Sequence, residues 1–182
     1  AEIYKKIALT HLSLEKNDAA LCNITKALHI KPNNVSFIKY LGIILAKIGN
    51  YGDAISTYKK ALKIKPNCAD TWNSLGSAFA MTGDLINALE SLRKSLQIDP
   101  RNPETHNDLG SVLYNQKKID EALVHYKKAV FFDPQYAEAL KNIGTCLRIE
   151  GQFEEALKFY DQALKYDPDL FAAKVGKLYT KL

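Results

Sequence analysis

Apolar side chains in the middle of the chain fall on two successive helical stripes. The first stripe consists of residues spaced i, i+3, i+4 and i+7: Trp72, Leu75, Gly76 and Phe79. This spacing predicts an amphipathic helix, which Gly83-Asp84 ends because glycine readily takes the left-handed backbone that closes a helix. The second stripe holds Ala88, Leu89, Leu92, Ser95 and Leu96. It stops before Pro100, whose ring removes a backbone donor, so the segment predicts two consecutive helices.

This two-helix pattern recurs every 34 residues. Five prolines lie at that interval: Pro32, Pro66, Pro100, Pro134 and Pro168. The twentieth position of every unit holds alanine: Ala20, Ala54, Ala88, Ala122 and Ala156. The eighth position holds one alanine and then glycines: Ala8, Gly42, Gly76, Gly110 and Gly144. Such self-similarity predicts an array of repeats at residues 1–34, 35–68, 69–102, 103–136 and 137–170, followed by residues 171–182.

The small residues at the eighth and twentieth positions predict that the two helices of a unit pack closely. A glycine inside a helix costs about 1 kcal/mol relative to alanine. Glycine nevertheless stands at the eighth position of the last four units. We therefore expect contacts at this position that a larger side chain would prevent.

The repeated unit resembles the tetratricopeptide repeat, a family with a 34-residue period and the outline W-x2-L-G-x2-Y…A-x3-F…P. The third unit matches through Trp72, Leu75, Gly76, Phe79, Ala88, Leu92 and Pro100. The fifth unit matches through Leu140, Ile143, Gly144, Leu147, Ala156, Tyr160 and Pro168. The resemblance covers residues 1–170 and implies an all-α fold, an α-solenoid in which antiparallel helix pairs stack into a right-handed superhelix. It also implies that the first helices line a concave groove.

The segment after the last repeat has a helical pattern of its own. Its apolar stripe holds Phe171, Val175, Leu178 and Leu182, and its charged face holds Lys174, Lys177 and Lys181. Because an array end needs a polar outer surface, we expect residues 171–182 to form a capping helix. The alternative is the first helix of a truncated sixth repeat. The chain opens at Ala1 already in helical pattern, which predicts an excised fragment.

The composition, 47% apolar and 25% charged residues, is typical of a folded soluble protein. No apolar stretch reaches the roughly 18–20 residues that a membrane span needs, and no secretory signal is visible. Cys22, Cys68 and Cys146 form neither a disulfide framework nor a C-x-x-C knuckle, which favours a reducing compartment. We therefore expect a cytoplasmic protein without a transmembrane segment.

Sequence signatures of catalysis are missing from the chain. It contains no phosphate-binding loop, dinucleotide-binding fingerprint, zinc-protease motif or serine-hydrolase elbow. His11 and His106 lie 95 residues apart, nearly three repeats, which places them too far apart to share a metal ion. The sequence therefore predicts no enzyme activity, no cofactor and no metal site.

Charge is distributed unevenly along the array. Residues 1–68 carry a net charge of +7, residues 69–170 carry −5 and residues 171–182 carry +3. Arginine is scarce and no basic–aromatic stacking platform is visible, so the pattern speaks against nucleic acid. A solvated basic face is the main interpretation, and an acidic partner or an anionic membrane surface is the alternative.

Family resemblance places ligands against the first helices, where the fifth, ninth and twelfth positions share one face. The candidate binding residues lie on these helices: Lys5, Lys39, Ile43, Asn73, Ser77, Asn107, Ser111, Tyr114, Lys141, Asn142 and Arg148. Asparagine both donates and accepts hydrogen bonds, so Asn73 and Asn107 suit an extended peptide backbone. Lys39, Lys141 and Arg148 favour acidic side chains or a carboxylate. The alternative for each position is a polar side chain that is only solvated.

Three classes of function compete on this sequence. The leading one is a non-catalytic protein–protein interaction scaffold that binds an extended, net-acidic peptide in the concave groove. The second is the substrate-recruiting region of a larger enzyme such as an O-linked glycosyltransferase, whose relatives carry an asparagine ladder at the sixth position; only Asn142 falls there. The third is a basic-surface binder of nucleic acid or anionic lipid. Self-association through the array ends is also compatible with the pattern.

Overall fold

The computed structural model describes residues 1–180, and this part of the chain consists of α-helices and their connections, with no β-strand. Its helices are, in chain order, α1 (Glu2–Ser13), α2 (Asn17–Ile30), α3 (Val35–Lys47), α4 (Tyr51–Ile64), α5 (Ala69–Met81), α6 (Leu85–Ile98), α7 (Pro103–Asn115), α8 (Ile119–Phe132), α9 (Ala137–Ile149), α10 (Phe153–Tyr166) and α11 (Phe171–Thr180). They belong to two compact units, unit 1 (Ala1–Ile98) and unit 2 (Asp99–Leu182). The predicted all-α class is confirmed.

Short polar side chains and left-handed residues set the helix ends. Asn34 accepts a hydrogen bond from the Phe37 N–H at 3.1 Å at the start of α3. Asn102 accepts one from the Thr105 N–H at 2.7 Å at the start of α7. Such caps satisfy backbone donors that have no partner inside the helix. The closing role predicted for Gly83 is confirmed by its φ angle of +80°, and Gly49 and Gly151 close their helices in the same way, with φ angles of +83° and +77°.

Unit 1 is built from three helix pairs, α1 with α2, α3 with α4 and α5 with α6. Within it, α3 also packs on α2, and α5 packs on α4. Its core contains large side chains that are almost entirely buried, namely Ile24, Phe37, Ile44, Tyr58, Leu75 and Leu92. Burial of this apolar area stabilises the stacked pairs, because the two helices of one pair leave apolar surface that only the next pair covers.

Unit 2 contains the pairs α7 with α8 and α9 with α10, and α11 packs against α10 and α9. In α11 the packed side is not the predicted apolar stripe. Phe171 is 74% exposed, whereas Ala173 is fully buried. The reason is Gly176, where an added Cβ would lie 2.7 Å from the Tyr160 ring, so the glycine side of α11 faces the unit. Lys181 and Leu182, assigned to the two faces of this segment, lie outside the described residues.

The glycines of the eighth position lie directly against a large side chain of the partner helix. A Cβ on Gly42 would come within 2.5 Å of Tyr58, and one on Gly110 within 2.7 Å of Tyr126. In the third pair Leu92 takes the place of the tyrosine, at 2.7 Å from the corresponding Cβ position of Gly76. Real Cβ atoms do not approach other atoms this closely, so the predicted close packing is confirmed.

A pair of histidines joins α7 to α8 in unit 2. His106 Nε2 lies 3.1 Å from the Pro100 carbonyl oxygen, and His106 Nδ1 lies 3.1 Å from His125 Nδ1. The carbonyl can only accept, so Nε2 carries the hydrogen and Nδ1 of neutral His106 accepts from His125. Burial lowers the pKa of His106, and the nearby Lys128 lowers it further. The neutral form of His106 is therefore the one that the fold accommodates.

Substitution of Gly110 by leucine should destabilise the protein, because the new side chain has to displace the Tyr126 ring. Overpacking of this kind costs about 1–3 kcal/mol. The matched control is Gly52→Ala, at an exposed helical position where an added Cβ meets no atom within 4 Å. Alanine there should leave stability unchanged or raise it by roughly 0.5–1 kcal/mol. Urea denaturation measures both; equal midpoints for Gly110→Leu and the wild type would contradict the packing argument.

Acidification should destabilise unit 2 through His106. The folded chain holds the pKa of His106 below its ordinary value of 6.5, so the unfolded chain binds the proton more readily. The stabilisation that neutral His106 provides is fully present above pH 6.5, the ordinary pKa of histidine. It decreases as the pH falls from 6.5 towards the lower pKa of His106 in the folded chain. The measurement is the denaturation midpoint between neutral pH and about pH 5. His106→Gln should flatten this dependence, and the exposed control His29→Gln should retain it.

Candidate functional site

All eleven candidate binding residues lie on first helices of the pairs. Unit 1 contributes residues of α1, α3 and α5: Lys5, Lys39, Ile43, Asn73 and Ser77. Unit 2 contributes residues of α7 and α9: Asn107, Ser111, Tyr114, Lys141, Asn142 and Arg148. Asn107 is buried and the other ten are partly exposed. In each unit, some of these candidate residues line one cleft.

The first-helix cleft of unit 1 has a volume of about 300 Å³ and lies between α3, α4 and α5. It brings together the candidates Ile43, Asn73 and Ser77, with Tyr58 and Met81 beside them. Asn73 Oδ1 is buried and has no hydrogen-bond partner. A buried oxygen without a donor costs free energy, which makes this atom a candidate acceptor for a ligand N–H. Two candidates, the lysines of α1 and α3, do not line this cleft.

The first-helix cleft of unit 2 has a volume of about 370 Å³. Four candidates line it: Tyr114, Lys141, Asn142 and Arg148. One wall is contributed by α11 through Ala172, Val175, Gly176 and Tyr179. Arg148 Nε is buried without a hydrogen-bond partner. A guanidinium N–H in such a position favours a carboxylate oxygen, to which it donates a charge-assisted hydrogen bond.

Sequence reasoning missed the contribution of α11 to this site. The helix is positioned by Gly176, which lets the Tyr160 ring pack at a distance that excludes a Cβ. The ring fills the space between Gly144 of α9 and Gly176 of α11, and Tyr179 then reaches the cleft. A signal was available in the sequence, because Gly176 stands inside a helical segment where only close packing justifies glycine.

The candidate lysines are already paired with carboxylates. The pairs are Lys5 with Glu2 at 3.0 Å, Lys39 with Asp70 at 3.2 Å, and Lys141 with Glu138 at 2.8 Å. The carboxylates are more exposed than the lysines in every pair. Pairs of this kind contribute only about 0–1 kcal/mol, so an incoming carboxylate can replace the internal one. They nonetheless reduce the positive potential that the sequence predicts for this face.

Two hydroxyl groups on the first helices, those of Ser111 and Thr145, accept hydrogen bonds from the second helix of their own pair. The Tyr126 hydroxyl donates to Ser111 Oγ at 3.2 Å, and the Tyr160 hydroxyl donates to Thr145 Oγ1 at 3.2 Å. Burial of Tyr126 raises the pKa of its hydroxyl, which therefore stays protonated and able to donate. Ser111, a candidate binding residue, thus acts as an internal acceptor, and it does not line the cleft of unit 2.

A similar internal role occupies Asn107. Its side chain is almost buried, with 8% exposure. Its Oδ1 accepts a hydrogen bond from Asn142 Nδ2 at 2.9 Å, which links α7 to α9. The Asn107 amide, which the sequence predicts to bind a peptide backbone, therefore already uses its oxygen to hold α7 and α9 together. Asn142 also lines the cleft, so the same side chain contacts both Asn107 and the cleft.

Side chains of metal-ligating and nucleophilic types are spread over the described residues. Within residues 1–180, no cluster of histidine, cysteine and acidic side chains has the arrangement of a metal site. Burial raises the pKa of the Cys146 thiol to about 11, so this cysteine is protonated and not a nucleophile at neutral pH. Over the same residues, no helix is long and apolar enough to cross a membrane.

Models of the tetratricopeptide repeat match successive stretches of this chain. One model matches residues 42–83, 79–117 and 110–147, and a second matches residues 137–170. A comparison with curated proteins gave no match. Together the matched stretches extend from the second helix pair to the last one.

Solved structures with similar folds include three repeat proteins. MamA is 27% identical, with 92% of this chain and 91% of that chain covered and a TM-score of 0.70. TTC0263, a thermophilic TPR protein of Thermus thermophilus, is 21% identical, with coverage of 99% and 98% and a TM-score of 0.87. YrrB, a TPR protein with an unusual peptide-binding site, is 24% identical, with coverage of 96% and 90% and a TM-score of 0.66.

Removal of the Asn142 amide should destabilise unit 2. Asn142→Ala leaves the buried Asn107 Oδ1 without its donor, a loss that costs about 1–3 kcal/mol. The control Asn115→Ala removes an exposed amide on α7, outside the cleft, and should change stability little. Denaturant titration of the two variants gives the comparison. If Asn142→Ala is no less stable than Asn115→Ala, the bond between the two asparagines does not support the fold.

Proposed function

The chain belongs to the tetratricopeptide repeat family, and we propose that it is a non-catalytic protein-interaction scaffold that binds an extended, net-acidic peptide on its first helices. The observation that carries this proposal is the buried Arg148 Nε without a partner in the first-helix cleft of unit 2. A buried guanidinium donor is costly unless an acceptor reaches it, and a peptide carboxylate is the acceptor of matching charge.

Lys141 supports the same ligand chemistry. Its side chain is mostly buried, with 18% exposure, and it shares the cleft with Arg148. The pair with Glu138 is at the exposed edge, so a ligand carboxylate can take over the ammonium while Glu138 turns to water. Tyr114 and Tyr179 add aromatic surface beside the two cations, which suits a peptide side chain next to its carboxylate.

The first-helix cleft of unit 1 offers a peptide a different kind of contact. Asn73 Oδ1 is an acceptor without a donor, and a backbone N–H of an extended segment is the commonest group that satisfies it. Ile43 and Met81 supply an apolar lining in the same cleft. Backbone recognition here is independent of ligand sequence, so the acidic preference arises in unit 2. A peptide-binding site is also named for YrrB, whose fold is similar.

The proposal places the protein in the cytoplasm. Cys22, Cys68 and Cys146 are all free thiols, and Cys22 is exposed. Such thiols persist in a reducing compartment, where interaction scaffolds without disulfides are common.

Replacement of Arg148 by glutamine should weaken binding of an acidic peptide roughly tenfold to hundredfold. A hydrogen bond to a charged group contributes about 1.5–3 kcal/mol, and each 1.4 kcal/mol is a factor of ten. A peptide array first selects the best acidic binder, alongside versions in which every Glu becomes Gln and every Asp becomes Asn. Fluorescence anisotropy of the selected peptide then compares the variants.

The matched control is Arg101→Gln, an exposed arginine of unit 2 outside the cleft, which should bind as the wild type does. Added salt should weaken the wild-type complex and affect Arg148→Gln less, because one screened charge is gone. Equal binding of the neutral peptides, or an equal loss in Arg101→Gln, would contradict the proposed recognition of an acidic segment.

A further inference from the structure

Unit 1 contains another cleft, on the side of the second helices α4 and α6, which is separate from the first-helix cleft. It has a volume of about 380 Å³ and lies between α4 and α6, above α5. Its floor is apolar and consists of Leu62, Trp72, Leu75 and Phe79. Its rim is polar and consists of Lys59, Lys63, Asn87, Glu90, Ser91 and Lys94. None of the candidate binding residues of the first helices lines this second-helix cleft.

Two departures from the repeat pattern create the cleft. The fourth position of the successive units reads Tyr4, Ile38, Trp72, His106 and Leu140, so the third unit has the largest side chain. The twenty-third position reads Asn23, Thr57, Ser91, His125 and Phe159, so the same unit has the smallest one. Ser91 is almost buried, with 4% exposure, and its side chain is much smaller than the phenylalanine at this position of the fifth unit. A broad aromatic floor thus lies below a short side chain.

The floor is held rigidly, with cations above it. The Trp72 indole N–H donates to the Pro66 carbonyl oxygen at 2.8 Å, which fixes the plane of the ring. Lys94 Nζ lies 4.7 Å from the centre of the Trp72 ring, and Lys59 Nζ lies 5.1 Å from that of Phe79. Lysines in these positions interact with the aromatic faces and still present positive charge to a group that enters between them.

The rim carries an excess of positive charge. It holds the three lysines Lys59, Lys63 and Lys94 against the single carboxylate of Glu90. Glu90 is paired with Lys94 at 2.6 Å, and this contact lowers its pKa, so it is ionised at neutral pH. Lys59 and Lys63 are the remaining cations of the rim, and the nearby Asp84 carboxylate offsets part of the charge of Lys59. An apolar floor below such a rim matches an apolar side chain flanked by carboxylates.

We propose that the second-helix cleft of unit 1 is a second peptide-binding site, which takes a phenylalanine or leucine side chain flanked by acidic residues in a segment of another protein. The volume is sufficient for one large side chain and its neighbours, and the lysines bind the flanking carboxylates. Nucleic acid fits less well, because the cleft contains no arginine and its aromatic rings lie at the bottom of a cavity rather than on an open platform. The proposal is independent of peptide binding on the first helices.

Trp72 is the single tryptophan of the chain and reports directly on this cleft. The probe is the acetylated and amidated peptide Glu-Asp-Phe-Leu-Asp-Glu, which contains no tryptophan. Titration with this peptide should shift the Trp72 emission in a saturable way. The peptides Gln-Asn-Phe-Leu-Asn-Gln and Lys-Lys-Phe-Leu-Lys-Lys should bind at least about tenfold more weakly, because they lack the flanking carboxylates.

Two variants locate the site. Ser91→Phe places the side chain of the fifth unit in the cleft and should reduce affinity about tenfold or more, with its fold checked by circular dichroism. Lys59→Ala combined with Lys63→Ala leaves the floor intact and should reduce affinity about tenfold at low salt and less at high salt. The matched control is Lys127→Ala with Lys128→Ala, which removes the same charge from exposed positions of α8 and should bind as the wild type does.

Arg148→Gln should leave the Trp72 titration unchanged, which separates this site from the first-helix cleft of unit 2. Wild-type affinity in both cleft variants, or an equal loss in the Lys127 and Lys128 control, would overturn the proposal. It would also be overturned if a single-stranded oligonucleotide, and not the acidic peptide, shifted the emission. A shift that depends on protein concentration without peptide and disappears in Ser91→Phe would assign the cleft to a second copy of the chain instead.

Discussion

The contact between the eighth-position glycine and the side chain sixteen residues later sets the geometry of each helix pair. Gly42 with Tyr58, Gly110 with Tyr126, and Gly144 with Tyr160 repeat it, and Leu92 replaces the tyrosine opposite Gly76. Because the side chain lies on the glycine backbone, these helices approach to a separation at which an added Cβ would collide with it. Ala8 and Ile24, both fully buried, stand at the same positions in the first pair. The other features of the fold rest on this repeated separation.

The same contact directs the tyrosine hydroxyl toward the first-helix face. In unit 2 the hydroxyls reach Ser111 and Thr145, which lie one residue after the glycine. In the second helix pair that position holds Ile43, which has no acceptor, and Tyr58 forms its hydrogen bond with Ser74 of α5 instead. Burial raises the pKa of Tyr58 to about 12, so its hydroxyl also remains a donor. Part of the polar character of the face is thus a consequence of packing and not of ligand binding.

Sequence periodicity predicted the helices, their closing glycines and the close packing, because each depends on residues that recur in register. It also placed the candidate residues on the first helices of the pairs, where the structure has them. It did not separate Arg148, which has a buried donor without a partner, from Asn107, which is used by Asn142. That distinction depends on contacts between neighbouring pairs, where a change of one position in register decides which side chains meet. The wall formed by α11 was missed for the same reason, since its orientation depends on Gly176 and Tyr160.

Helix α5 shows how one repeat can serve two faces without conflict. Asn73 and Ser77 line the first-helix cleft of unit 1, whereas Trp72, Leu75 and Phe79 form the floor of the second-helix cleft. Successive residues of a helix are rotated by about 100°, so neighbours such as Trp72 and Asn73 face different sides. The contact of Gly76 with Leu92 fixes the position of α5. Neither Gly76 nor Leu92 lines either cleft, so the lining of a cleft can vary while this contact is kept. Variation at the fourth position therefore alters one surface while the adjacent fifth position remains free to define the other.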